Sequence, residues 1–239
     1  MKPNAEHLRQ ALADSHSLAG RLDEPGFPLA ELEIVQSWQR KRLAQSFRDL
    51  ISQQRYRAAG DFFLDELYGG LHFRERDQEM ERVLPVMVRM LRDDMLKVLA
   101  EAFELQALSL EFDMDMTAAL LEFGWNELNT ERYGEMYRAC GRSDERERQV
   151  ELIHRLGLEL NTLVHHRLVL LLIRTLRGPA RAAGFGRLQS FLEQGLKAFQ
   201  LMGDGTEFVE TIWRKESDVM LRLFAGDQDP FRTTESPAN

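Results

Sequence analysis

The hydrophobic residues of this chain recur with a period of 3.6 along almost its whole length, the spacing that lays an apolar stripe down one side of a helix. Asn4 can cap a first short helix over 5–14, its side chain accepting from the free amides of the first turn. Pro25, Gly26 and Pro28 then force a break. From Pro28 a longer helix carries Ile34, Val35 and Trp38, and its stripe then swings by half a turn to Leu43, Phe47, Leu50 and Ile51. Such a swing implies two packing partners or a kink near 39–42. A helix over 55–68 puts Tyr56, Gly60, Phe63, Leu64 and Leu67 on one face, with Gly60 reading as a point of close approach by another backbone. After Pro85, a stripe from Met87 and Leu91 through Met95, Val98 and Ala102 to Leu105 predicts another helix.

Segment 108–116, LSLEFDMDM, breaks the period: it alternates strictly, as a strand would, yet no second strand is present to pair with it. Residues 107–116 stay open between helix, loop and strand, with helix resuming over 117–123 and ending at Gly124. Thr130 can cap a helix over 131–140, closed by Gly141. Ser143, followed by two acids, opens the longest predicted helix, 144–177, which Gly178-Pro179 stops. Within it 168–173 is apolar all round, so this stretch is expected at the centre of the bundle. Helices over 185–202 and 206–224, joined by Gly203-Asp204-Gly205, read as an antiparallel hairpin. The expected fold is all-α: an irregular multi-helix bundle around a central long helix, in a single domain over 1–226. The aperiodic 227–239 reads as a disordered tail.

Composition narrows the class. With 239 residues, 44% of them hydrophobic, the chain buries a core readily. Its net charge of -8 disfavours phosphate backbones and anionic lipid, so neither nucleic acid nor membrane is an expected partner. The longest apolar run is far shorter than the ~20 residues that span a bilayer. A single cysteine, Cys140, excludes an intrachain disulfide and favours the cytoplasm.

Catalytic chemistry has few footholds. Glu151 and His154 form one Glu-x-x-His pair, with His165 three turns further on the same side of the helix. Two such pairs with two further glutamates build a di-iron carboxylate bundle, and here there is one pair only. A metal- or cofactor-dependent enzyme using Glu151, His154 and His165 is therefore the alternative reading. The neighbours His165 and His166 point about 100° apart on a helix and do not readily chelate one ion. Cys140 sits near a helix C-terminus, which raises a thiol pKa. Neither a nucleophile elbow nor a phosphate-binding glycine pattern is present, and no cofactor is expected.

Segment 61–70, DFFLDELYGG, is the densest cue. It sets Phe62 and Phe63 beside Asp61, Asp65 and Glu66, with Tyr68 before two glycines. FFLDELYG over 62–69 resembles the signature of an uncharacterised bacterial family named for its Phe-Phe-Leu-Glu-Glu motif, the FFLEE-motif proteins. Asp65 stands where that motif has its first glutamate. The resemblance implies no activity, cofactor or catalytic residue. Read from its residues, the segment offers an apolar-and-acidic groove of Phe62, Asp65, Glu66 and Tyr68, with Trp38 as a neighbour. The expected function is a non-catalytic protein-interaction or scaffold module, engaging a protein partner or a second copy of itself.

Overall fold

The computed structural model describes residues 2–64, 82–85, 87–89, 91–166 and 186–232, with single positions at 171, 174, 175, 177, 178, 182 and 184. Among the described residues there are helices and no strands: α1 (Pro3–Gly20), a 3-10 turn (Arg21–Asp23), α2 (Leu29–Ser46), α3 (Arg48–Ser52), α4 (Gln54–Phe62), α5 (Asp93–Glu122), α6 (Thr130–Cys140), α7 (Ser143–Leu163), α8 (Gly186–Met202) and α9 (Thr206–Ala225). The chain is all-α, as its periodicity predicts. None of these helices is long and apolar enough to cross a membrane.

The long helix at the centre is α5, with 30 residues, rather than 144–177. It is flanked by α1, α2, α6 and α7. This explains the alternation of 108–116. Leu110 and Met114 face one core, shared with Leu22 and Leu32. Met116, two residues from Met114, faces a second core with Val35, Leu120 and Met136. Phe112, 1% exposed, lies four residues before Met116 on that second side. Two interleaved i, i+4 stripes on a helix enclosed from several sides produce an apparent period of two.

The expectation for 144–177 is corrected. Helix α7 ends at Leu163, where Val164 closes the last turn. Leu171, within the stretch expected at the bundle centre, is 61% exposed, and the other residues of 168–173 lie outside the described residues. All-round apolarity is compatible with a buried position but does not impose one.

The swinging stripe of α2 serves two cores. Val35 and Trp38 pack against α5, α6 and α9. Leu43 and Phe47 pack with Tyr56, Phe199, Phe208 and Ile212. The change of core falls between Trp38 and Leu43, within α2, while the helix itself breaks later, at Phe47, where α3 begins. A fourth core joins Leu8 and Leu12 of α1 to Leu96, Ala100 and Phe103 of α5. Helix α1 runs beyond the expected 5–14 because Ser15 and Ala19 continue its buried side. Asn4 does not cap it; its amide instead donates to Asp93 Oδ2 at 2.6 Å, tying the start of α1 to the start of α5.

Helices α8 and α9 meet at their turn, where Phe199 lies edge-on to Phe208 at 6.5 Å, and then part. Helix α8 leans on α4, and α9 on α7 and α6, so the expected hairpin does not close along its length. The first part of the expected tail, 227–232, lies among the described residues. Pro230 is buried, and Phe231 packs on Trp38 at 5.7 Å and on Tyr133 at 6.1 Å. Arg232 Nη1 meets Asp227 Oδ2 at 2.6 Å. Residues 233–239 lie outside the described residues.

Candidate functional site

The residues singled out from the sequence do not converge. Phe62, at the end of α4, is half-buried and packs on Phe191 of α8, ring centres 5.3 Å apart. It fits because position 195 is glycine: a Cβ there would lie 2.8 Å from Phe62 Cζ. Gly60 makes a similar accommodation, for the Ile51 side chain rather than a backbone. Trp38 belongs to the other core, stacked on Tyr133 at 4.1 Å with 20° between planes. Phe62 and Trp38 thus do not share a groove. Asp65, Glu66 and Tyr68 lie outside the described residues.

The proposed metal ligands are also separate. Glu151 is exposed. His154 turns to α9, its Nε2 lying 2.8 Å from Glu210 Oε1 and its ring stacked on Trp213 at 4.7 Å. His165 Nδ1 lies 2.8 Å from the carbonyl of Asn161, at the end of α7. His154 sits in α7 and His165 just past its end, eleven positions on, which at helical rise is about 16 Å, too far to share an ion. Among the described residues no group of three or more His, Cys, Asp or Glu could hold a metal.

A surface feature does stand out where α5 gives way to α6. Helix α5 ends in a Schellman turn: Trp125 N donates to Leu120 O at 3.1 Å, and Gly124 N to Leu121 O at 3.0 Å. This requires a left-handed residue, and Gly124 supplies it with φ 67°. The turn swings Trp125 back so that its ring lies on Phe123, 4.5 Å between centres and 9° between planes. The Arg132 guanidinium sits 5.4 Å from the Trp125 ring. Arg132 is held in turn by the start of α6: its backbone amide donates to the Asn129 cap at 2.9 Å, and its Nη1 to Glu127 O at 3.0 Å.

The result is a ledge whose apolar parts face solvent. Leu121 is 49% exposed and Phe123 41%. The inner side of Trp125 and Leu128 packs on the core of α5, α6 and α9. Glu122, Glu127 and Glu131 are exposed around it in the chain. The surface is aromatic and acidic, the combination expected of 62–68, but built from 121–132.

The chain belongs to the family described as Domain of unknown function (DUF8198). The family model matches residues 23–230, which takes in α2 through α9 and the ledge. Helix α1 lies outside the matched segment. No curated protein and no solved structure matches the chain.

Sequence reasoning passed over the ledge, although its signals are present. Gly124 after an apolar helix marks a left-handed cap, and an aromatic directly after it is the residue such a cap folds back. Asn129, rather than Thr130, caps α6, which fixes Arg132 against Trp125.

Proposed function

We propose that this protein is a cytoplasmic, non-catalytic interaction module that presents the Phe123–Trp125 ledge to a basic, amphipathic segment of a partner protein. The observation that carries the reading is the flat stack of two rings, one of them 41% exposed, locked in place by caps at both ends. Tryptophan, other aromatics and arginine dominate the energetics of protein interfaces, and a rigid anchor loses little entropy when it docks. Charge selects between a foreign partner and a second copy. Pairing two ledges would bring six glutamates together on chains that each carry a net charge of -8. A basic helix satisfies the same surface with opposite charge. The lone cysteine supports a reducing compartment, and the FFLDELYG segment supports kinship with the FFLEE-motif proteins.

A fluorescently labelled amphipathic peptide of leucine and lysine tests the reading by anisotropy. Binding should be saturable, weaken with salt and fall at least about tenfold in Phe123→Ala, a substitution on the surface that leaves helix content unchanged. A peptide that binds Phe123→Ala as well as the wild type would refute the assignment. So would an acidic peptide that binds equally well.

A further inference from the structure

The α6–α7 junction sends two arginines to different destinations. Gly141 and Arg142 both adopt positive φ, 63° and 61°, so α7 starts directly where α6 stops. Arg142 meets three carboxylates: Glu111 at 3.0 Å, Asp115 at 2.9 Å and Glu145 at 3.3 Å. Arg146, one turn on, enters the core and is 5% exposed. Its guanidinium carbon lies 3.7 Å from the centre of the Phe112 ring and 4.4 Å from that of Tyr137. Two of its nitrogens, Nε and Nη2, are buried without an acceptor among the protein atoms. Asp113 acts on Arg146 through its charge, while its carboxylate takes hydrogen bonds from Gln36, at 2.9 Å, and Gln39.

Nε and Nη2 are the side-on fork of a guanidinium, two parallel donors spaced to match two oxygens of one oxyanion. Buried donors without acceptors are costly, and each calls for a partner. We propose that Arg146 anchors an internal site for a small carboxylate ligand, held by this fork beside Phe112 and Tyr137. The flanking rings favour a planar group. The nearby Asp113 charge favours a monoanion over a phosphate dianion, because like charges close together raise each other's cost. None of Phe112, Tyr137 and Arg146 belongs to the surface ledge, so the two proposals are tested separately.

Side-chain NMR of isotope-labelled arginine tests it on the full chain. Acetate, inorganic phosphate and chloride are added as potassium salts at constant ionic strength. The Nε–H resonance that Arg146→Lys removes should shift saturably with acetate, less with phosphate and not with chloride. Acetate should also raise the melting temperature by several degrees at about a hundredfold excess over its dissociation constant. Arg146→Lys keeps the charge and loses the fork, so its melting temperature should not respond to acetate. A wild-type spectrum in which no buried Nε–H moves with acetate overturns the proposal, and that titration decides even if the variant does not fold. A larger response to phosphate than to acetate overturns the carboxylate assignment, and an equal response to chloride overturns the fork.

Discussion

Replacing Asp113 with asparagine should change how the protein's stability depends on pH, and the size of the change follows from the geometry. Asp113 is half-buried on α5, with its carboxylate accepting hydrogen bonds from Gln36 and Gln39. Burial pushes its pKa up from 3.8 to about 6, against the opposing pull of the two amides and of Arg146. At about 1.4 kcal/mol per pKa unit, this rise corresponds to about 3 kcal/mol. The folded state holds the proton more tightly than the unfolded chain, so folding is favoured most below pH 3.8, where both states are protonated. That contribution is lost as pH rises through about 6. Above that pH the fold carries a buried anion whose hydrogen bonds and arginine only partly offset its desolvation. In Asp113→Asn the titration is absent. Urea unfolding of both proteins from pH 4 to pH 8 gives the difference between them at each pH, and the other carboxylates cancel. The variant should gain on the wild type by about 2–3 kcal/mol across this range, most of it between pH 4 and pH 6, with the midpoint at about pH 5. A difference that stays flat from pH 4 to pH 8 would show that the Asp113 carboxyl is solvated, and the buried polar layer described around it would be wrong.

Other consequences can be checked with single variants. Gly195→Ala drives a Cβ to 2.8 Å from Phe62 Cζ and should destabilise by about 1–3 kcal/mol in urea, with Phe62→Leu in the same chain recovering part of it. If Gly195→Ala is silent, Phe62 does not pack on α8. Glu216→Ala removes the carboxylate that meets Arg42 Nη1 at 2.5 Å, both side chains being mostly buried, and should cost about 2–4 kcal/mol by thermal or chemical unfolding. Glu216→Gln should cost less, since it keeps an acceptor. Gly124→Ala forces a Cβ into the left-handed turn at φ 67° and should cost about 1 kcal/mol while weakening peptide binding at the ledge.

Much of the architecture was legible in the order of residues because helix stripes are local. The break at Pro25–Pro28, the two-sided use of α2 and the ends of α6 and α9 all follow from nearby residues. What required the third dimension was enclosure. Segment 108–116 looks like a strand because α5 is flanked by four helices, so both of its interleaved stripes are buried, and no local rule reports how many neighbours a helix has. The same gap misplaced the centre of the bundle, since the apolarity around Leu171 does not reveal its 61% exposure. Candidate sites failed for a related reason. Glu151 and His154 are correctly spaced along a helix, but a ligand set needs a second helix to supply its other half, and α9 supplies Glu210 and Trp213 instead. Arg146 sits in the run RSDERERQ, which reads as a solvated charged face. Only the turn at Gly141 and Arg142 shows that one of these arginines points inward.

The central claim is that the ledge at 121–132 is where this protein meets its partner, and its three tryptophans provide the most direct measurement. Trp38 is stacked against Tyr133, Trp213 against His154, and Trp125 lies on the surface ledge. In an NMR titration with the leucine-lysine peptide, the indole N–H of Trp125 should shift and saturate while those of Trp38 and Trp213 stay in place. A Trp125 signal that does not move while the peptide binds, or three signals that move together, would contradict the account.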